Sequence, residues 1–428
     1  MHQQISNYEK ARLGGKAAWF GYLVCTIGAI FYCYEFVLRI LPGALQSEIS
    51  SAFGHISAST FGQLSAFYYF AYSPMQLPVG MLMDRFGPRK LLFFACLCCT
   101  AGSFMFSFSE SILIACSGRF LVGFGSSFAF VGVLSLALYW LPRRFFSLAV
   151  GLITTLGMLG LVYGEIKITK TALSVGLYPV LFSMVIFGSV LSVLILLIVK
   201  DGPGSSRLKK LPLQDFFRDV GRVLTSAEVW MIGLVAACLY TSLSVFGELW
   251  GKAYLEQAHH LTKMQAAHAI SALFLGWAVG APVSGFISDI TGRRVLCLVI
   301  GAIGSLCTIS IILYVPMLSF AMIYGLLFIY GVFSGTEIVA FVMAKENSGA
   351  KLSGTVFAVT NMIVTLGGVF FQPLVGKLLD LFGEKIFING EYVYSTLEYQ
   401  VALSLLPLSL LLVLVFAFFL KDNPVSEK

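Results

Sequence analysis

Residues 80–90 read GMLMDRFGPRK, and residues 285–294 read GFISDITGRR. Each stretch has a glycine, three residues, an aspartate, two residues, a second glycine and then a basic pair. The leading glycines, Gly80 and Gly285, stand 205 residues apart, close to half of the 428-residue chain. A polar motif that recurs at half length implies two related halves. Each copy is a brief interruption between long apolar runs, so the nature of those runs decides the fold.

The chain is 58% hydrophobic and 11% charged. A water-soluble domain carries about 25% charged residues, and this chain has too few to cover a hydrated surface. A mean hydropathy of +0.88 agrees. Lipid on the outside removes the need for charge. The apolar runs are long and unbroken rather than alternating, which argues for helices of about 20 residues and against a barrel. In lipid, every backbone amide must find its partner inside its own segment. The nine cysteines all fall in apolar runs with no metal-ligand spacing and read as small packing residues. The polar amino terminus lacks a cleavable signal pattern, so the first span is expected to remain in place.

Twelve spans are expected, at 17–41, 58–81, 90–109, 112–140, 146–166, 174–199, 228–251, 266–288, 294–314, 316–343, 354–376 and 398–420. Residues 200–227 form the longest polar segment and divide an amino-terminal six-helix bundle, 1–199, from a carboxy-terminal one, 228–428. With both termini in the cytoplasm, 20 of the 28 Lys and Arg residues lie on the inner side, six of them in the 200–227 linker. That is the positive-inside pattern, and it accounts for the net charge of +7 without nucleic acid. The basic linker is expected to rest on anionic lipid headgroups.

With these features in place, G-x-x-x-D-R-x-G-x-R-K, carried by Gly80, Asp84, Arg85, Gly87, Arg89 and Lys90, resembles the signature loop of the major facilitator superfamily. The second copy departs from it: Ile290 follows Asp289, and the basic pair Arg293–Arg294 is displaced by one. Arg119, Gly123 and Gly125 resemble the superfamily's R-x-x-x-G-x-G pattern in span 4. The resemblance implies an all-α membrane fold of two pseudo-symmetric six-helix bundles, acting as a monomer in a cell membrane, with a bacterial inner membrane as the expected setting. Asp84, Arg85, Arg89, Lys90, Asp289, Arg293 and Arg294 are then gate candidates, pairing across the bundle on the cytoplasmic side. The alternative is that the basic cluster only fixes topology.

Ionisable residues inside spans are costly and usually face a bundle interior or a wet cavity. Glu35 and Arg39 lie four residues apart in FYCYEFVLRIL, residues 31–41, and share a helix face. They read either as a self-neutralising or interfacial pair, with Arg39 snorkelling, or as cavity residues. Arg119, Glu165 at the end of span 5 and Glu248 at the end of span 7 fall at similar depth. The superfamily fold puts spans 1, 4 and 7 around a central cavity. Arg39 also matches in position the substrate-carboxylate arginine of the organic anion:cation symporter branch, by its spacing to Phe53-Gly54. A guanidinium suits that task because its fork grips a carboxylate with two hydrogen bonds. Leu38 and Ser126 replace two acids of that branch that are associated with proton coupling. Proton coupling would then fall to Glu35, Glu165 or Glu248, since a carboxyl in a dry site exchanges protons nearer neutrality.

Tyr69, Tyr72 and Gln76 share a face of span 2. With Asn361 and Gln372 of span 11 they complete a substrate pocket, unless they only tie helices together. Arg119 is assigned a structural or coupling role. Glu337 is read as a gate acid paired with Lys345. His259, His260 and His268 are expected to be solvated near the outer loop. There is no G-x-x-x-x-G-K-[ST] loop, no metal motif and no nucleophile–base set. The reading is therefore not an enzyme and has no cofactor; its partners are a small solute, protons and lipid. It is a secondary active importer of a small carboxylate-bearing nutrient, such as an amino acid or organic acid. An exporter of drugs or siderophores is the alternative, disfavoured by the lack of a Gly-Pro signature in span 5; a transporter-like sensor is another.

Overall fold

The computed structural model describes residues 15–142, 145–202, 213–348, 352–383, 386–388 and 391–422. Among them, eleven helical runs are long and apolar enough to cross a membrane. Span 1 is Gly15–Ala44, span 3 Pro88–Ser107, span 4 Ile112–Ser126 with Ala129–Trp140, span 5 Phe146–Val175 and span 6 Leu177–Ile198. Span 7 is Ala227–Thr241, continued by Ser242–Trp250 and Gly251–Ala258. Span 8 is Lys263–Thr291, span 9 Arg294–Tyr314, span 10 Phe320–Ser334 with Glu337–Ser348, span 11 Ser353–Phe382 and span 12 Thr396–Leu403 with Leu405–Ala417. The twelfth, span 2, is the expected segment in two pieces, Ala58–Met75 and Val79–Phe86. Pro78 offers no amide to the preceding turn, and the first piece carries three tyrosines and a glutamine among its apolar residues.

Several helices begin where their sequences say they should. Ser57, Ser226, Thr262, Ser319 and Ser395 each accept a hydrogen bond from the amide three residues on, and Gln265 and Glu398 close capping boxes. Large apolar side chains such as Leu197, Phe286 and Phe418 are exposed on the outside, as a lipid-facing surface requires.

Spans 5 and 7 run furthest beyond their expected ends. Span 5 continues past 166 to Val175, and span 7 past 251 to Ala258. Charge does not stop these helices because it sorts by face: Glu165 and Thr169 are buried while Lys167 and Lys170 are exposed. Glu165 and Glu248 therefore lie within their helices rather than at the ends. Ser242–Trp250 is a π-helical stretch, the kind of local insertion often found at functional sites. Among the described residues, a short antiparallel ribbon, Ile386–Ile388 with Glu391–Val393, is the one element outside the helical expectation.

Helix pairs repeat after six spans. Span 1 packs on 5, 2 on 4, 3 on 4 and 3 on 6; span 7 packs on 11, 8 on 10, 9 on 10 and 9 on 12. The two polar motifs explain themselves in this frame. Gly87 has φ +81° and Gly292 φ +65°, a left-handed backbone that side chains disfavour. Just after each, an aspartate that follows the last span of the same six caps the next helix: Arg89 N donates to Asp201 at 2.9 Å, and Val295 N to Asp422 at 2.9 Å.

The two sets of six meet through spans 2 and 11, 5 and 8, and 1 and 7. On the side away from the linker they touch backbone to backbone. A Cβ on Gly43 would lie 2.2 Å from the Glu248 carbonyl oxygen, on Gly62 2.7 Å from that of Gln372, and on Gly376 2.2 Å from that of Ala58. On the linker side a cavity of about 370 Å³ separates them, lined by Gln76, Gly80, Asp84, Arg85, Phe130 and Asn361 among others. Phe216 and Val220 of the linker helix Leu213–Leu224 also line it.

Candidate functional site

Arg39 stands at the seam between the halves, not at a lipid surface. It is 5% exposed and Glu35 is fully buried. Its Nη2 donates to both Glu35 oxygens at 3.3 Å, its Nε to the Tyr68 hydroxyl at 3.0 Å and its Nη1 to the Tyr240 hydroxyl at 3.3 Å. The rings of Phe36, Tyr68 and Tyr72 lie 4.5, 5.3 and 4.9 Å from the guanidinium carbon, within cation–π range. Tyr68 also donates to Glu35 at 3.0 Å.

The network continues into the other half. Tyr240 donates to Glu248 Oε1 at 3.5 Å, and Tyr69 donates to Glu248 Oε2 at 2.5 Å. Two acids, one guanidinium and three phenols thus link spans 1, 2 and 7. Glu35–Arg39 is the i, i+4 pair the spacing implied, and it is also central. The self-neutralising pair is present and buried, so snorkelling does not occur; neither Glu35 nor Arg39 is among the residues that line the linker-side cavity.

Arg119 has a local cause. Pro42 in span 1 has no amide to give the Leu38 carbonyl one turn back. Arg119 Nη1 supplies the donor at 2.7 Å, and its Nη2 reaches the Arg39 carbonyl at 3.3 Å. The span 4 arginine thereby fixes the backbone that carries Arg39. Span 4 comes close enough to allow this because Gly123 faces the Tyr68 carbonyl, where a Cβ would sit 1.9 Å away.

The other sequence candidates scatter around this centre. Asn361 donates to Gln76 at 2.9 Å and both line the linker-side cavity. Tyr72 stacks on Tyr68. Gln372 lies in the distal seam, where its Nε2 donates to the Ser244 carbonyl at 2.6 Å and its own carbonyl accepts from Trp250 at 3.1 Å. Glu165 is held apart from Arg39, 3.9 Å from Lys252. Lys252 in turn donates to the Ala44 carbonyl at 2.5 Å and to Thr169 at 2.8 Å.

The expected gate pairs take a different form. Among the described residues, the motif side chains make their contacts within their own set of six. Arg89 donates to the Leu196 carbonyl at 3.1 Å; Arg294 bridges Asp289 at 2.6 Å and Glu346 at 2.8 Å. Asp84 and Arg85 line the cavity. Lys90 and Arg293 are exposed. Across the cavity the halves are joined by the Gln76–Asn361 hydrogen bond rather than by the motif charges. Glu337 does not pair with Lys345, which is exposed and about 12 Å further along the helix at 1.5 Å per residue. His259 is buried rather than solvated. It bonds the Ile312 carbonyl at 2.9 Å and packs on Tyr254, because span 7 extends far enough to carry it under the helix ends. His260 is exposed.

Among the described residues, the ion pairs that cross between halves lie on the distal side. Lys263 meets Glu48 at 2.6 Å and Ser47 at 2.7 Å. Burial raises the Glu48 carboxyl, but the Lys263 hydrogen bond and charge more than reverse this and hold it below the usual range. This contact therefore weakens only as pH falls through that lowered value. Asp380 of span 11 accepts from the Ala58 and Ser59 amides at 3.2 and 2.9 Å, capping span 2, and Tyr394 braces it at 2.6 Å.

Tyr68 and Tyr240 are absent from the sequence candidates. Tyr68 adjoins Tyr69, and a helical wheel drawn through Tyr68 and Tyr72 fits as well as one through Tyr69, Tyr72 and Gln76. Nothing in the span 7 sequence marks Tyr240.

Comparison with known proteins locates this geometry. Residues 24–372 match the profile of the Major Facilitator Superfamily. The lysosomal dipeptide transporter MFSD1 of Danio rerio is 22% identical over 390 residues, 84% of this chain and 80% of that protein. A probable sulfoacetate transporter, SauU of Cupriavidus necator, is 23% identical over 288 residues, 64% of this chain and 66% of its own. The inward-facing, unoccupied crystal structure of a bacterial homologue of the human lysosomal transporter Spinster superposes with a TM-score of 0.74. Its identity is 17%, with 94% of this chain and 96% of that one covered.

Proposed function

This chain belongs to the Major Facilitator Superfamily, and on that premise we propose that it imports a small carboxylate-bearing solute together with protons, by alternating access. Membrane transport by a non-enzymatic, multi-pass protein follows from the family. The finer reading is carried by one observation: a buried guanidinium at the seam, with donors to spare, bonded to residues of both halves. Arg39 can exchange Glu35 for a solute carboxylate as Glu35 takes up the transported proton, because the displaced acid is then neutral and the guanidinium keeps one carboxylate partner. Both solutes named for the relatives carry a carboxylate, which supports the class.

With the termini and the 200–227 linker in the cytoplasm, the cavity faces inward and the distal seam is the outer gate. Residues 1–199 and 228–428 rock about the Arg39–Tyr240 contact. Glu48–Lys263, Lys252 with Glu165, and the Asp380 cap part on the outer side as the motif residues Asp84, Arg85, Arg89, Lys90, Asp289, Arg293 and Arg294 approach on the inner side. Glu35 and Glu248 hold the transported proton next to Arg39, with Glu165 coupling through Lys252. Uptake into proteoliposomes under an imposed pH gradient, after a thermal-shift screen of small carboxylates, tests the proposal; carboxylates that neither stabilise the protein nor accumulate would end it.

Two further results are expected. Glu35→Gln, Glu165→Gln or Glu248→Gln separates solute exchange from proton-driven accumulation; accumulation against a gradient by all three would refute the coupling. Gly43→Val places atoms where the Glu248 carbonyl lies and holds the outer side open. Gln372→Cys in that background is then labelled by an impermeant maleimide from outside at least tenfold faster than in the parent. Equal labelling would show that the close approach at Gly43 is not the gate.

A further inference from the structure

The linker-side cavity, of about 370 Å³, falls in the size range of small-molecule sites. Its wall is mostly apolar. Leu77, Met81 and Phe130 come from one half, Phe357 and Ala358 from the other, and Phe216 from the linker helix. Among the described residues, the charged ones on this wall are Asp84 and Arg85, eight and nine positions past Gln76 in span 2, and both are exposed. Gln76 and Asn361 are neutral and hydrogen-bond each other at 2.9 Å. The wall therefore offers a large apolar surface and little to balance a buried charge.

Two short chains of contact join this cavity to Arg39. Through span 2, Gln76 Nε2 donates to the Tyr72 carbonyl at 3.3 Å, and the Tyr72 ring lies 4.9 Å from the Arg39 guanidinium carbon. Through spans 4 and 1, the Phe130 ring stands 5.3 Å from Tyr32 and Tyr32 stands 4.8 Å from Phe36. Phe36 in turn lies 4.5 Å from the same guanidinium carbon. Tyr72 and Gln76 are about one helical turn apart, or about 6 Å. A guanidinium, a set of aromatic rings and an apolar cavity thus follow one another toward the linker.

We propose that the solute is an amphipathic monocarboxylate, with one carboxylate for Arg39 and an aromatic or branched aliphatic body for the aromatic rings and the cavity. This rests on the proposed capture of the carboxylate by Arg39. Each methylene moved from water to an apolar wall is worth about fourfold in affinity, so apolar bulk beyond the carboxylate tightens binding. A second charge does not, because it enters the cavity without a partner. The body meets Phe130 of span 4 and Phe357 and Ala358 of span 11, so a single molecule contacts both halves.

The test is a thermal-shift and competition-binding series on the purified full chain. The probes are propionate, isovalerate and phenylpropionate, the dicarboxylate succinate, and the alcohols that match the three monoacids. Phenylpropionate is expected to bind at least about tenfold more tightly than propionate, with isovalerate between them and succinate no tighter than propionate. Ala358→Phe, which fills the cavity from span 11, should cut the ratio of phenylpropionate to propionate affinity at least about fivefold. Phe216→Ala, outside the spans, removes part of the wall and should cut the same ratio several-fold, which keeps the test open if the first variant folds poorly. Equal affinity along the series, a ratio that neither variant moves, tighter binding of succinate than of phenylpropionate, or a series in which nothing binds would each overturn the inference. Alcohols that bind as tightly as their acids would instead refute the role of Arg39, and the size preference is then read in the alcohol series.

Discussion

Arg39→Ala combined with Glu35→Gln is expected to reduce uptake by at least about 100-fold while the protein still folds; that loss corresponds to about 2.7 kcal/mol at 1.36 kcal/mol per tenfold. The double substitution is needed because Glu35 is fully buried. Arg39→Ala alone strands a carboxylate without its partner, and breaking a buried pair on one side costs about 3–5 kcal/mol. Loss of uptake by the single variant would therefore confuse folding with function. Neutralising both groups removes that penalty and leaves only the missing grip on the solute. Arg39→Lys gives the complementary result: charge is retained, but a point charge cannot reach Glu35, Tyr68 and Tyr240 at once. Its uptake should lie between the double variant and the parent. Size-exclusion behaviour and thermal unfolding establish that the double variant folds, and proteoliposome uptake measures the loss. Parental uptake of carboxylates by that folded variant would rule out Arg39 as their binding group.

Arg119→Met is expected to lower stability by about 1–3 kcal/mol, the cost of leaving a buried carbonyl unsatisfied, and to depress uptake with it. The stranded group is the Leu38 carbonyl, which Pro42 cannot serve. The origin of the defect suggests its own repair. Pro42→Ala restores an amide at the position from which an i→i−4 bond would reach Leu38, so Pro42→Ala with Arg119→Met should recover much of the stability lost by Arg119→Met alone. Thermal unfolding of the three variants in detergent measures this. An equal loss in the single and double variants would show that Arg119 acts through something other than the Leu38 carbonyl. If the double variant regains stability but not uptake, the position of Arg39 depends on the span 4 arginine as well as on a satisfied backbone.

The fold was legible because lipid leaves so few solutions. Low charge, long apolar runs and a motif repeated 205 residues apart suffice for an all-helical membrane protein built twice over. The motif's second glycine has a reason that the structure supplied: Gly87 and Gly292 both take a left-handed backbone. Where helix limits were misplaced, in spans 5 and 7, the cause was local. Charges such as Glu165 and Glu248 look like helix ends in a linear sequence, but inside a bundle they find partners across a helix face.

The site was only partly legible. Glu35 and Arg39 declared themselves, since two charges four residues apart in an apolar span must be paired or wet. Arg119 was marked by its motif, though its task was not. Its partner is a carbonyl released by Pro42, and no side-chain pattern records a missing amide. Tyr68 and Tyr240 went unnoticed because a tyrosine in a span is ordinarily packing, and only a neighbour's charge makes its hydroxyl matter. The motif's basic residues were expected to reach across the bundle, whereas among the described residues they brace their own halves.

Periodicity, charge bias and repetition are properties of neighbours along the chain, and they carried the class, the spans and the presence of charge within them. Which acid meets which cation is a property of helices brought together from 201 residues apart, as Arg39 and Tyr240 are. The same holds for the side on which the halves are sealed. Lipid constrains each helix separately, so its demands can be read locally; a hydrogen bond between helices depends on the rotation and depth of both, which the packed bundle alone sets.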